Sequence, residues 1–239
     1  MRDVFHRNIK EMTTSSGKPI VGTEKKAYVD EDEKKVILKR NEQSKRDSKL
    51  ENEMTLKAAF YLTKIARILF PKSIPDIHQV YYDDPGNKKS WTLVRKKVDP
   101  GKEHDQLQDV YQEHMNASSA VDTQKVEEIE EQEKDVIDDL SKRGWELIQQ
   151  LEECGINHTD GAQAQNFGID SEGNTIFVEE FRPFEIPKDG GIVYNLFKPK
   201  KLEEAISKIP DEKQRKRAEK YFERIIELRE EAERQIEKK

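Results

Sequence analysis

The stretch from Ile156 to Pro183 constrains the fold more than any other. Two short apolar runs, Phe167 to Ile169 and Ile176 to Val178, flank Asp170-Ser171-Glu172-Gly173-Asn174. Runs of that length around a turn rich in Asp, Gly and Asn predict a β-hairpin. A polar loop, His158 to Gln165, precedes it, and before that a helical period ends at Gly155, a good C-cap residue. Helix, polar loop and hairpin in direct succession predict an α+β chain. The two ends of an antiparallel pair are neighbours, so the hairpin would bring Asn166 close to the acids Glu179 and Glu180. A carboxylate and an amide oxygen converging beside the acidic loop residue Asp160 would suit a hard divalent cation such as magnesium.

At 239 residues the chain is long enough for one domain or two small lobes around a real core. Only 33% of residues are hydrophobic and 38% are charged, with the charge spread over helical faces. That predicts a globular protein with strongly solvated helices. A net charge of −6 argues against a nucleic-acid-binding surface over the whole molecule but leaves room for local basic patches. The single cysteine, Cys154, excludes an intramolecular disulfide and fits a reducing compartment. No apolar run reaches the length of a membrane span, and the N-terminus lacks the apolar core of a signal peptide. The expectation is a soluble, cytoplasmic protein with no membrane and no nucleic-acid partner.

Along the chain, residues 1–17 carry little pattern and read as a short helix or flexible lead, then a loop. Strands are predicted from Pro19 to Gly22, over Ala27-Tyr28-Val29 and from Lys35 to Lys39, the last being rich in β-branched residues. Leu50, Met54, Ala58, Leu62, Ile65 and Leu69 recur at helical spacing and predict a helix over 45–69, ended by Phe70-Pro71. Two strand-like arms follow, Ile77 to Tyr82 and Trp91 to Val98, around the turn Asp84-Pro85-Gly86-Asn87. A boundary at Asp99-Pro100-Gly101 divides an N-terminal part, 1–98, from a helical part, 99–239. The latter holds predicted helices at 104–118, over 122–154 as one helix or two with a bend expected at Gly144, at 201–209 and at 211–237. The seam of the last helix (Ala218, Tyr221, Phe222, Ile225, Leu228, Ala232, Ile236) would cover the lobe near its start and face solvent or a partner near its end.

The order of these features resembles the protein-kinase-like superfamily over roughly residues 18–183. His158-Thr159-Asp160 followed by Asn166 is similar to the kinase catalytic loop H-R-D-x-x-x-x-N, with one extra residue between Asp160 and Asn166. Glu179, 13 positions after Asn166 (179 − 166), stands where kinases carry the magnesium-binding Asp. Val36-Ile37-Leu38-Lys39 resembles V-A-I-K, and Gly22 to Val29 keeps the first glycine and the valine of the glycine-rich loop. The absence of an arginine after His158 resembles the aminoglycoside-phosphotransferase type.

This resemblance implies a bilobal kinase-like fold with a small antiparallel-sheet N-lobe bearing one helix and a reduced, mainly helical C-lobe. It also implies an ATP- and magnesium-dependent phosphotransferase. Asp160 would orient or deprotonate the acceptor hydroxyl. Lys39, braced by Glu53 (or Glu51), would sit on the phosphates. Asn166 or Gln165, together with Glu179, would hold magnesium. Gly22, Val29 and the hinge residue Lys96 would border the nucleotide. Glutamate in place of the metal Asp and the glycine-poor loop leave a second expectation open, a pseudokinase or scaffold working through its charged helices. The acceptor, a small molecule or a protein, is not specified by the residues, and the final helix is a candidate for self-association.

Overall fold

The computed structural model describes residues 10–11, 25–29, 35–40, 49–84, 87–96, 131, 134–157, 166–178, 181–186 and 193–238. The chain is an α+β protein. Its strands β1 (Lys10–Glu11), β2 (Lys25–Val29), β3 (Lys35–Arg40), β4 (Ile77–Asp84) and β5 (Asn87–Lys96) form one antiparallel sheet in the order β1-β2-β3-β5-β4. Helix α1 (Lys49–Leu69) connects β3 to β4 and lies against β4 and β5. Further along come α2 (Lys134–Glu153), the hairpin β6 (Phe167–Ile169) and β7 (Thr175–Phe177), the short pair β8 (Phe184–Glu185) and β9 (Tyr194–Asn195), α3 (Pro199–Ser207) and α4 (Glu212–Ile236). The predicted strand at 19–22 and helix at 104–118 lie outside the described residues.

The helices form where apolar spacing and end signals agree. Helix α1 buries Met54, Ala58, Leu62, Ile65 and Ala66, which recur every three or four residues along one face. Pro199 opens α3, where its missing N–H costs nothing. Asp211 caps α4, its carboxylate accepting from the Gln214 N–H at 2.7 Å. Exposed i, i+4 pairs such as Lys216–Glu212 at 2.7 Å decorate the outer face of α4 and contribute little each.

The main core is continuous. Leu62 and Ile65 of α1, Leu147 and Leu151 of α2, Phe167 and Phe177 of the hairpin, Leu202 of α3, and Ala218 and Ile225 of α4 share one cluster. A second cluster joins Met54 and Ala58 of α1 to Phe184, Val193, Leu228 and Ala232. The expectation that the seam of the last helix covers the lobe only near its start is therefore corrected. The α4 seam runs against α1 as far as Ala232, which is 1% exposed, because the apolar spacing persists on both helices.

Three smaller features were not anticipated. Strand β1 has no pattern of its own and exists because the edge of β2 offers backbone partners, Lys10 opposite Val29 and Glu11 opposite Tyr28. The β8–β9 pair is too short to show alternation and is held by burial of Phe184 and Val193. Helix α2 passes through Gly144 without interruption. A Cβ there would lie 2.4 Å from the Phe167 ring, so this glycine makes room for a close helix–hairpin contact.

Candidate functional site

The candidate site is the β6–β7 hairpin together with the end of α2, from which the chain leads towards it. Helix α2 ends in a Schellman arrangement. The Ile156 N–H donates to the Leu151 carbonyl (2.9 Å), and the Gly155 N–H donates to the Glu152 carbonyl (3.0 Å). Gly155 adopts φ 82°, a left-handed conformation that glycine reaches without strain. The Gly155 carbonyl then accepts from the Lys198 N–H at 2.8 Å, and Ile156 bridges to Phe197. The chain is thereby fixed against the start of α3 just before the polar loop. Asn157 is the last described residue there, and its buried Oδ1 has no hydrogen-bond partner among the described residues.

Asn166 begins the hairpin and is 6% exposed, one of two buried polar residues in the described core. Its carbonyl accepts from the Val178 N–H at 2.9 Å, continuing the register in which Phe167 faces Phe177 and Ile169 faces Thr175. The backbone therefore brings the start of the first strand to Val178, just after the end of the second. Phe177 stacks on Phe181 (centroids 4.7 Å, 19°) and tilts against Phe167 at 5.5 Å. The Phe177 N–H also donates to the Ser73 carbonyl at 2.9 Å, tying the hairpin to the turn that leaves α1. That turn is braced by the Lys64–Asp76 ion pair at 2.6 Å and by Arg67 donating to the Ile74 carbonyl at 2.8 Å.

The hairpin turn is organised by Asp170. Its Oδ1 accepts from the Glu172 N–H (2.9 Å), the Asn174 N–H (2.8 Å) and the Asn174 side-chain amide (3.1 Å). Chiefly the Asn174 amide, with help from the backbone donors, holds the Asp170 carboxyl below the usual range. Because the folded-state pKa is depressed, the stabilisation is present above the unfolded Asp pKa of about 3.9 and is lost as pH falls through the folded value. Asp170→Ala is thus expected to lower the melting temperature modestly at pH 7, with the gap to wild type closing below about pH 4. A gap that persists unchanged at pH 2 would exclude the ionised carboxylate as its source.

Of the other candidate residues, Lys39 lies on β3 opposite Lys26, Val29 ends β2 opposite Val36, and Lys96 ends β5 opposite Lys35. Glu53 lies on α1, one residue before Met54, whose side chain is 5% exposed in the cluster with Leu228 and Ala232. Gly22, Asp160, Gln165 and Glu179 lie outside the described residues. Among the described residues no group of three or more His, Cys, Asp or Glu side chains is placed to hold a metal ion. The Cys154 thiol, partly buried, is pushed up by burial and by the nearby Glu153, so it stays protonated and weakly nucleophilic at neutral pH. Among the described residues no helix is long and apolar enough to cross a membrane.

The protein defined by these features is an α+β chain with a five-stranded antiparallel sheet and a helix-supported hairpin. Compared with protein-family models, with curated proteins and with solved structures, the chain matches none.

Proposed function

We propose that the chain is a divergent, bilobal kinase-like phosphotransferase that uses ATP and magnesium and transfers a phosphoryl group to a hydroxyl acceptor in the cytoplasm. The observation that carries this reading is the order of parts along the chain. Three antiparallel strands ending near Lys39 are followed by a helix bearing Glu53, and two further strands complete the sheet. A helix then feeds a loop holding His158 and Asp160, and the hairpin after it opens on the buried Asn166. Each feature alone is commonplace. Their joint order matches what a nucleotide cleft between a sheet and a helical layer needs.

The donor chemistry fits magnesium: an Asn166 or Gln165 amide oxygen and the Glu179 carboxylate are hard oxygen ligands, and the backbone pairs Asn166 with the residue preceding Glu179. Magnesium, when bound, would neutralise phosphate charge. In this reading Asp160 accepts a hydrogen bond from the acceptor hydroxyl and aligns its oxygen on the γ-phosphorus. As the new P–O bond forms and the bond to the ADP oxygen breaks, the hydroxyl proton passes to Asp160. Lys39, braced by Glu53, balances charge on the phosphates. Such catalysis is positioning and electrostatics in the main. The acceptor is a small molecule or a protein.

A second reading is favoured by Glu179 in the metal position and by Glu24 and Ala27 where a phosphate loop carries glycines: a pseudokinase that binds without turnover. Thermal shift with ATP, with and without magnesium, and a coupled ADP assay separate the two. Saturating Mg-ATP at about 100 times its Kd should stabilise the protein by about 2.7 kcal/mol. Asp160→Asn should retain that shift while turnover falls at least about 100-fold. Binding without turnover in the wild type selects the pseudokinase. No shift under any metal condition eliminates the phosphotransferase and leaves a scaffold working through its charged helices, and turnover unaffected by Asp160→Asn removes the catalytic assignment.

A further inference from the structure

We propose that the opening turns of α4 form a docking groove for a compact polyanion, a short chain of linked phosphates. Lys213, Lys216, Arg217 and Lys220 are all exposed there. Among the described residues, they and the acids Asp211 and Glu212 line a shallow groove of about 640 Å³. The cations follow one another at spacings of three and four, which sets each beside two others on the helix surface.

This placement is unfavourable in the free protein. Like charges at those spacings destabilise a helix, and cations near its N-terminus oppose the helix dipole. Composition does not force it, since the chain has 49 acids against 43 lysines and arginines. Ion pairs do not offset it either. Elsewhere on α4, Arg215 pairs with Glu219 at 4.0 Å, Arg229 with Glu233 at 3.2 Å, and Arg224 with Glu227. Within the cluster Lys216 alone has such a partner, Glu212 at 2.7 Å. Lys213 and Arg217 have no acid three or four residues away in either direction. Arg217 reaches only the Tyr221 hydroxyl, at 3.5 Å. Lys213, Arg217 and Lys220 pair with no carboxylate among the described residues. An exposed cluster of mutually repelling cations is explained if a bound anion offsets the repulsion.

Length and charge density select the anion. From Lys213 to Lys220 the helix advances about 10 Å. Asp211 and Glu212 close the cluster at one end, and Glu223 and Glu227 close it at the other. A long polyanion such as a nucleic-acid strand would run onto those acids. An extended acidic peptide turns alternate side chains away, leaving about 7 Å between those that face one surface. Linked phosphates place charge more densely along one line. Lysine meets phosphate as a point charge, and the Arg217 guanidinium meets it as a two-pronged donor. A lipid surface lacks an anchor here, because the large hydrophobic residue exposed among the described residues is Trp145, on α2. None of the four cations belongs to the proposed phosphotransferase site. The groove is a separate anion site, and its ligand is a free polyphosphate or the phosphate chain of a nucleotide.

Calorimetry on the full chain at low salt, with inorganic tripolyphosphate, tests the groove. The wild type should bind tripolyphosphate at least about tenfold more tightly than orthophosphate. The double variant Lys213→Gln/Arg217→Gln should weaken tripolyphosphate at least about tenfold. It should also melt about 1–3 °C higher without ligand, because the repulsion is relieved. Lys134→Gln/Lys142→Gln removes the same charge from exposed positions of α2 and should leave the affinity within about twofold. Mg-ATP separates the two sources: its binding falls in parallel in Lys213→Gln/Arg217→Gln if a nucleotide docks here and is unchanged if the ligand is a free polyphosphate. No tripolyphosphate binding by the wild type overturns the site, as does equal weakening in the two double variants. So does a single-stranded oligonucleotide of about 20 nucleotides that binds more tightly than tripolyphosphate through Lys213 and Arg217. Turnover in the coupled ADP assay without tripolyphosphate binding sinks this inference and keeps the phosphotransferase reading. Tripolyphosphate held through Lys213 and Arg217, without turnover, does the reverse.

Discussion

Phe177→Ala is expected to cost about 3–5 kcal/mol of unfolding free energy, measured by urea titration. The ring is 1% exposed and touches two other fully buried rings, Phe167 and Phe181. Truncation removes the transfer free energy of a whole benzyl group and leaves a cavity that three different elements would have to close. The hairpin, α2 and the turn after α1 meet here, so collapse of one wall is opposed by the others. Because the total stability of a domain is about 5–15 kcal/mol, this single change should leave the protein marginal or unfolded. Trp145→Ala supplies the contrast. Trp145 is 50% exposed on α2, and its loss should cost no more than about 1 kcal/mol. Comparable losses in the two variants would mean that the hairpin is not seated in the core as described.

Gly155→Ala is the second large effect, about 2–5 kcal/mol. Two independent terms add. A left-handed conformation costs a residue with a Cβ about 1–2 kcal/mol. The new Cβ would also lie 2.6 Å from the Lys198 carbonyl oxygen and 2.8 Å from the Leu202 nitrogen, both backbone atoms that cannot swing aside. Gly173→Ala isolates the first term. Its φ is 81°, but a Cβ there meets nothing within 4 Å. The difference between the two variants is therefore the steric term alone, and equal losses would refute the close approach of α3 to the end of α2. Since Gly155 delivers the chain into the His158 loop, Gly155→Ala should also disturb any nucleotide response more than Gly173→Ala does.

Parts of this architecture could be read from local pattern. Asp170 through Asn174 between two three-residue apolar runs identified the hairpin, and the structure pairs Phe167 with Phe177 accordingly. Gly155 was legible as a helix stop because few other residues tolerate its φ. The apolar period of α1 and of α4 predicted both helices to within a few residues of their observed ends. Of the candidate site, Asn166 was legible in both its position and its hairpin partner strand. The Lys26–Lys39 opposition was not, because a strand pattern does not specify which residue of a neighbouring strand lies across from it.

What the amino-acid order determined unaided was local: which faces are apolar, where helices stop, where a turn must fall, and the resulting α+β composition. Periodicity and end signals act within a few residues, so they survive without tertiary context. Only the tertiary structure decided that the α4 seam packs against α1 as far as Ala232, and that Gly144 serves the Phe167 ring. It also decided that Lys10–Glu11 becomes a strand and which β3 residue lies across from each residue of β2. These outcomes depend on which surface meets which across long chain separations, and an apolar face or a strand edge states only that it needs a partner, not which one.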